Sequence, residues 1–235
     1  MDKLIIFTDG ASRGNPGPGG WGTVIVFPKL SEIVELGGGR EKTTNNEMEL
    51  TAALSALSYV SQNDLPIHIY TDSKFMIDGM TSWTKTWSQN NWKKHDGEAV
   101  KHREIWQTLQ TLANGREIHW HHVPGHAGIP GNERADKIAT SFADATPMEL
   151  YRGNLANYDD PKIAEIDERE FDELSKTSFE KKVIPAFSYV SEIDGVVQTH
   201  KTWDECKERV HGQAARYKKV FSEKEKKELI KNWSK

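Results

Sequence analysis

Four acidic residues occupy positions in this sequence where carboxyl groups could act together. Asp9 follows the apolar run LIIF at residues 4–7, and Asp72 ends the run IHIYTD. Glu49 lies in the first turn of a predicted helix, and Asp136 lies near the start of another, after GHAGIPGNERA. In an α/β sheet, strand ends and helix beginnings gather at one edge, so we expect these four acids to converge.

Each of these acids also has an ordinary structural explanation. Asp9 with Gly10 is typical of a hairpin turn, and Glu49 is favourable at the positive end of its helix. Asp72 could cap a helix, and Asp136 could be a solvated helix residue. As a set, however, four close carboxylates resist ionisation unless cations neutralise them. Oxygen ligands without clustered cysteine or histidine favour hard ions such as Mg²⁺, so the set predicts a divalent-cation site.

Strand and helix patterns alternate along the first 145 residues. Strand-like runs occur at residues 4–8, 21–27, 32–36, 67–71 and 117–123. Helical patterns cover residues 46–60, most of 73–114 and 132–145. The first three runs are joined by turns and predict a meander. The alternation that follows predicts an α/β layer fold.

The rest of the chain divides into two parts. Residues 146–182 are acidic and have few large apolar side chains, which predicts a linker. Residues 183–235 carry two strand-like runs, a helix capped by Thr202 and a second helix, and their charge is basic. We therefore expect a domain at 1–145, a linker at 146–182 and a small α/β domain at 183–235.

Composition excludes several classes of protein. The chain has 235 residues and 36% hydrophobic content, enough for one full core and a small second one. No apolar stretch reaches the roughly 20 residues of a membrane span, and the start MDKLIIFTDG lacks a signal peptide's cationic leader. The single cysteine, Cys206, cannot form an internal disulfide. We expect a soluble cytoplasmic protein with no membrane contact.

Five motifs within residues 1–145 resemble type 1 ribonuclease H, in the family's order and spacing. They are TDGASRGNPGPGGWG, TTNNEMELTAAL, YTDSKFMIDG, WTKTWSQNNWKK and VPGHAGIPGNERADKIA. The resemblance implies a ribonuclease H-like mixed five-stranded sheet flanked by helices. It implies endonucleolytic hydrolysis of the RNA strand of RNA/DNA hybrids by a two-metal-ion mechanism, leaving 5′-phosphate and 3′-hydroxyl ends.

The same resemblance assigns site residues. The family's catalytic, metal-holding carboxylates fall on Asp9, Glu49, Asp72 and Asp136, with Mg²⁺ as the expected ion and Mn²⁺ as an alternative. Its loop histidine falls on His126, which would assist water activation or product departure. Its contacts to the RNA strand fall on Asn15, Asn45 and Asn46. Such contacts would select RNA through the 2′-hydroxyl, which DNA lacks.

A tryptophan-bearing segment resembles the family's basic protrusion, which grips the DNA strand. The corresponding residues are Trp83, Trp87, Lys93 and Lys94. Residues 88–91 read SQNN, where bacterial relatives often carry extra cations, so we expect weak phosphate binding here. The alternative is that these tryptophans only pack helices together.

Residues 185–233 resemble the small hybrid-binding domain of eukaryotic ribonucleases H, also found in caulimovirus viroplasmin, through TWDEC and AARYKKVF. An aromatic side chain for stacking beside lysines for phosphates predicts nucleic-acid binding. The candidates are Tyr189, Trp203, Lys218 and Lys219. Two features depart from the relatives: the module follows the nuclease domain, and its loop SEIDG is acidic. A core role for Trp203 therefore stays open, as does binding of double-stranded RNA or a protein.

Two other functions also stay open from the sequence. One is a catalytically idle protein that binds hybrid or double-stranded RNA, which an assay for hydrolysis in Mg²⁺ would identify. The presence of four acids together with His126 argues against this alternative. A transposase or integrase domain on the same fold normally has three acids and lacks the GHAG loop. No obligate protein partner is evident, and the leading hypothesis is a ribonuclease H.

Overall fold

The computed structural model describes residues 2–166, 187–193, 195–211, 213 and 215–233. The chain divides into two compact units, Met1–Ser178 and Phe179–Lys235. Among the helices described, none is long and apolar enough to cross a membrane.

The first unit contains a six-stranded mixed sheet with helices on both faces. Its strands are β1 (Leu4–Ser12), β2 (Gly17–Phe27), β3 (Glu32–Thr43), β4 (Ile67–Thr71), β5 (Ile118–His122) and β6 (Arg152–Asn154). Its helices are α1 (Asn45–Tyr59), α2 (Lys74–Asp78), α3 (Thr84–Gln89), α4 (Arg103–Ala113) and α5 (Pro130–Ala143). The strand order is β5-β4-β1-β2-β3-β6. Strands β1, β4 and β5 are parallel, and the other pairings are antiparallel.

The central strand β1 is apolar at every position of its first half because both faces of the sheet are covered. Leu4 and Ile6 pack with α1 and α4, in a core that includes the fully buried Trp106. Ile5 and Phe7 pack with α5 on the other face. The uninterrupted apolar run before Asp9 therefore reflects a strand buried on both sides.

The sixth strand corrects the prediction of a five-stranded sheet. β6 pairs antiparallel with β3, with Gly153 opposite Ile33 and Arg152 opposite Val34. It is only three residues long and has the sequence RGN, so it carries no alternation of apolar and polar side chains. Its strand conformation comes from the exposed edge of β3, which no local pattern could indicate.

The predicted linker differs from the structure over its first part. Met148, Leu150, Tyr158 and Ile163 pack against the core on the α5 face, and Tyr158 and Ile163 are buried. Residues 148–166 therefore pack on the first unit. Irregular spacing of these apolar residues hides their burial in the sequence. The remainder of the predicted linker, 167–182, lies outside the described residues.

The second unit is a three-stranded antiparallel sheet with two helices. Its elements are β7 (Ser188–Ile193), β8 (Val196–His200), α6 (Trp203–Val210), β9 (Ala215–Val220) and α7 (Glu223–Trp233), and the strand order is β8-β7-β9. Val190, Cys206 and Val220 are fully buried between them. Thr202 caps α6 by accepting a hydrogen bond from the backbone nitrogen of Glu205 at 3.3 Å.

Candidate active site

Helix α1 packs directly on β1, and this contact brings Glu49 beside Asp9. A Cβ atom added at Gly10 would lie 2.3 Å from the backbone nitrogen of Glu49. Real Cβ atoms do not approach backbone atoms this closely, so only glycine permits the packing. Asp9 is 7% exposed and Glu49 is 5% exposed, so both carboxyl groups are buried.

Two further acids reach the same place from β4 and α5. β4 runs parallel to β1 with Tyr70 opposite Phe7, so Asp72, just after β4, emerges near Asp9. On the other side, Gly22 pairs with Asp9 across β1 and β2. A Cβ atom on Gly22 would lie 2.2 Å from the carbonyl oxygen of Ala135. α5 therefore packs closely here, and Asp136 follows Ala135.

The acids line one open cavity of about 470 Å³. Asp9, Glu49 and Asp72 each offer a carboxylate oxygen, and these oxygens all lie within 4.8 Å of one another. Asp136 and His126 line the same cavity. The structure thus brings together all five residues that the resemblance assigns to catalysis.

Burial and mutual repulsion make these carboxyl groups hard to ionise in the metal-free protein. Burial raises the pKa of Asp9 to about 8, and the charges of Asp72 and Asp136 add to the rise. Burial likewise raises the pKa of Glu49 well above its ordinary value, with Asp9 and Asp72 contributing. The pKa of Asp72 is also raised by burial, although His122 and His126 oppose the change.

The donor set fits a hard divalent cation. Glu49 Oε1 accepts a hydrogen bond from Asn45 Nδ2 at 3.3 Å, but Glu49 Oε2 is buried without a hydrogen-bond partner among the described residues. A buried carboxylate oxygen without a partner is costly, and a cation would relieve that cost. Carboxylate oxygens are the ligands that Mg²⁺ and Mn²⁺ prefer.

His126 lies on an exposed loop at the rim of the cavity. Its backbone adopts the left-handed conformation with φ of 54°, and Gly128 does so with φ of 78°. The loop passes close to the acids, since a Cβ atom on Gly125 would lie 2.7 Å from Asp72 Oδ2. Gly128 N donates to Glu133 Oε1 at 3.2 Å, which ties the loop to the first turn of α5.

Of the three predicted RNA contacts, the structure places only Asn45 at the cavity. Asn45 lines the cavity beside Glu49. Asn15 and Asn46 are exposed and are not among the described residues that line it. Arg13 does line the cavity, and its guanidinium pairs with Asp144 at 2.5 and 2.7 Å. Sequence reasoning missed Arg13, although a cation beside the glycine-rich turn was a visible signal.

The predicted DNA-strand contacts are partly structural. Trp83 and Trp87 are half-buried, with ring centroids 5.6 Å apart, and Trp87 lies 5.7 Å from the fully buried Trp106. The packing alternative therefore describes a real role of Trp87. Lys94 Nζ lies 2.9 Å from Glu98, whereas Lys93 is exposed.

The second unit presents a row of aromatic rings. Trp203 lies 5.7 Å from Tyr189 and 5.3 Å from Tyr217, measured between ring centroids. Trp203 is 37% exposed and Tyr217 is 55% exposed, so neither ring is a core residue. Tyr189 pairs with Lys219, which places Lys219 and, two residues earlier, Tyr217 on the same face.

Lys218 lies on the opposite face of that sheet, where its Nζ is 3.5 Å from Glu225. Sequence reasoning grouped it with Lys219 and missed Tyr217. Once residues 215–220 are known to form a strand, the alternation of side chains separates the two lysines, because residues 217 and 219 share a face and residue 218 does not.

The family model described as RNase H matches residues 1–144 of the chain. The chain belongs to the RNase H family. It is 48% identical over 139 residues to the ribonuclease H of Rhizobium meliloti (strain 1021), a match that covers 59% of this chain and 89% of the relative. It is 43% identical over 144 residues to the ribonuclease H of Ruthia magnifica subsp. Calyptogena magnifica, a match that covers 61% of this chain and 97% of the relative.

Solved structures of ribonuclease H proteins have a fold similar to that of this chain. LC9-RNase H1, a type 1 RNase H, matches with a TM-score of 0.57 and 26% identity, over 73% of this chain and 91% of that one. A foamy viral protease-reverse transcriptase matches with a TM-score of 0.53 and 19% identity, over 61% of this chain and 20% of that one, and shows the fold alone. The chain is thus an enzyme of the ribonuclease H class, a family that depends on divalent metal ions.

Proposed function

We propose that this ribonuclease H cleaves the RNA strand of RNA/DNA hybrids at the carboxylate cavity, using two Mg²⁺ ions and leaving 5′-phosphate and 3′-hydroxyl ends. The observation that carries the proposal is the convergence of Asp9, Glu49 and Asp72 within 4.8 Å, in one cavity with Asp136 and His126. The identity of 48% to a relative named ribonuclease H supports the same activity.

Asp9, Glu49, Asp72 and Asp136 would hold the ions. Divalent ions at such a site activate the attacking water and stabilise the leaving oxygen. The chain itself contributes a preformed arrangement, since Gly10 and Gly22 fix α1 and α5 against the sheet. The closely spaced carboxyl groups would ionise when the cations bind, because the opposite charge offsets their burial and repulsion.

His126 is suited to an assisting role. It is exposed on a loop at the rim of the cavity, so its ring can approach the reacting phosphate or move away from it. An imidazole can accept a proton from the attacking water or help the product leave. Because the carboxylates hold the ions independently of the loop, we expect His126 to affect the rate without being indispensable.

Selection of RNA would take place next to Glu49. Asn45 lines the cavity and donates to Glu49, so its amide can contact a ribose 2′-hydroxyl close to the acids. The glycine-rich turn between β1 and β2, which includes Asn15, would contact the same strand through its backbone. The 2′-hydroxyl both donates and accepts hydrogen bonds, and DNA lacks it.

The second unit would bind the nucleic acid. Its exposed Trp203 and Tyr217 offer rings on which sugars or bases stack, and Lys219 on the same face can contact phosphates. Lys218 is exposed on the other face and would contribute only to the long-range attraction of phosphate. Binding by this unit compensates for the small number of cations near Trp83 and Trp87.

A cleavage assay with the full chain tests this function. A fluorescent RNA strand is annealed to DNA, to RNA or left single, and each substrate is incubated in Mg²⁺, Mn²⁺ or EDTA. We expect cleavage of the hybrid only with divalent ions, and mass spectrometry of the fragments should identify 5′-phosphate ends. Absence of hybrid cleavage in both metals would overturn the proposal. Equal cleavage of double-stranded RNA would overturn the assigned substrate.

A further inference from the structure

Residues 148–166, which we call the strap, pack on the same face of the sheet as α5 and share an apolar cluster with Ala135 and Ile138 of that helix. The strap adds β6 to the edge of β3 and then makes two short 3-10 turns, Leu155–Asn157 and Pro161–Ala164. It lies outside residues 1–144, the part that the RNase H family model matches.

A buried carboxylate joins the strap to α5. Glu35 on β3 is 4% exposed and accepts hydrogen bonds from both segments. Arg134 of α5 donates through Nε at 2.6 Å and through Nη2 at 2.8 Å. From the strap, the backbone nitrogen of Tyr151 donates at 2.9 Å, and the hydroxyl of Tyr158 donates as well. Removing one donor leaves a buried charge with fewer partners, which disturbs the others.

This hydrogen-bonded group stands next to catalytic residues. Arg134 precedes Asp136 by two residues on α5, and its neighbour Glu133 accepts the hydrogen bond from Gly128 in the His126 loop. The first turn of α5 therefore has two attachments. One leads through Glu35 to the strap, and the other leads to the loop that carries His126.

Apolar contacts make a second connection between the strap and the loop. Ile163 of the strap is 2% exposed and packs in the same core cluster as Ile129, the residue that immediately precedes α5. Tyr158 and Ile163 also line a cleft of about 300 Å³ together with Gly128. The strap thus packs in one apolar cluster with the residue that ends the His126 loop, and it lines a cleft together with Gly128 of that loop.

We propose that the strap is a positioning element for the reaction, which holds the first turn of α5 and with it the His126 loop in the geometry that catalysis needs. Tyr158 acts through Glu35 and Arg134 and does not touch the substrate. The inference rests on the proposed role of His126, whose loop is tied to the first turn of α5 through Glu133. Small displacements of catalytic groups are expensive, since an error of about 1 Å can cost on the order of 100-fold in rate.

Tyr158→Phe in the full chain tests the proposal, because it removes one hydroxyl and keeps the ring. We expect kcat on a saturating RNA/DNA hybrid to fall by about tenfold, with KM changed by less than about twofold. Tyr151→Phe is the matched control. The Tyr151 hydroxyl donates to Asn154 within the strap at 2.9 Å and does not contact Glu35, so its loss should leave kcat unchanged.

A double-mutant cycle with His126→Ala separates positioning from general stability. If the strap acts through the loop, Tyr158→Phe should slow the His126→Ala enzyme by less than about twofold, because the group being positioned is gone. Equal slowing in both backgrounds would overturn the proposal, and so would normal kcat in Tyr158→Phe. Should Tyr158→Phe fail to fold, Ile163→Val takes its place with the same expectations.

These assays distinguish a failure of the proposed ribonuclease H function from a failure of the role proposed for the strap. If the unsubstituted chain does not cleave the hybrid, the proposed function fails. If it cleaves the hybrid and Tyr158→Phe cleaves it equally well, only the role of the strap fails. Urea unfolding of each variant shows that the assays are run where the protein is folded.

Discussion

Replacing Asp9 with asparagine tests whether burial and the neighbouring acids destabilise the ionised Asp9 carboxylate in the metal-free enzyme. Asparagine has the same volume and can still accept the hydrogen bond that Gly10 N makes to Asp9 Oδ1 at 2.7 Å. Burial, followed by the charges of Asp72 and Asp136, raises the pKa of Asp9 from 3.8 to about 8. At pH values between 3.8 and about 8, folding is therefore accompanied by the uptake of a proton. As the pH rises through this window, the metal-free wild-type protein should lose stability.

The expected difference in the free energy of unfolding follows from the rise in the pKa of Asp9. A rise from 3.8 to about 8 corresponds to about 6 kcal/mol if Asp9 titrates alone. Because the neighbouring acids titrate together with Asp9, we expect less than this, on the order of 3 kcal/mol. In EDTA at about pH 8.5, Asp9→Asn should be more stable than wild type by that amount. At about pH 4.5, where folded Asp9 is protonated, the two proteins should agree within about 1 kcal/mol.

Urea unfolding in EDTA at both pH values measures these differences, and Asp64→Asn serves as the control because Asp64 is an exposed acid outside the cavity. Added Mg²⁺ should stabilise wild type but not Asp9→Asn, and only wild type should cleave the hybrid. If Asp9→Asn is no more stable than wild type at the higher pH, burial and repulsion do not destabilise the Asp9 carboxylate. Near-normal cleavage by this variant would refute the metal assignment.

Three further predictions concern other parts of the enzyme. Gly10→Ala should lower the free energy of unfolding by about 3 kcal/mol or more, because its Cβ would meet the backbone of Glu49; an unchanged urea midpoint would contradict this. His126→Ala should slow single-turnover cleavage by about 10- to 100-fold, and complete inactivity would show that His126 is more than an assistant. Trp203→Ala combined with Tyr217→Ala should raise KM by about 30-fold or more at constant kcat, since each of the two stacked rings contributes about 1–3 kcal/mol. An unchanged KM in the folded variant would remove these rings from binding.

The sequence indicated the convergence of the acids because each signal is local. The run LIIF identifies a strand covered on both faces, and Asp9 ends it. Glu49 and Asp136 stand in recognisable helices, and Asp72 closes a short strand. The parallel pairing of β1 and β4 then brings separate segments to one edge. The sharp requirement for glycine at position 10 appears only once α1 is packed.

The strap could not be predicted because its signals depend on distant residues. Glu35 reads as a polar residue on an alternating strand, and its partners Tyr151 and Tyr158 lie 116 and 123 residues away. β6 is a polar tripeptide whose conformation depends on β3. Tyr217 was missed for a similar reason: the sequence ARYKKV shows no alternation of apolar and polar residues, so β9 and its covered face appear only in the folded sheet.

The sixth strand also determines how the nuclease unit behaves when it is isolated. β6 pairs with Glu32–Val34, the apolar part of β3, and replaces that edge with one only three residues long. A chain cut after Ala145 would leave these backbone groups unpaired beside Ile33 and Val34, and such edges pair with other copies of the same chain. Its kinetics would then mix cleavage with self-association and depend on enzyme concentration. A chain ending at residue 166 keeps the edge covered and separates the two effects.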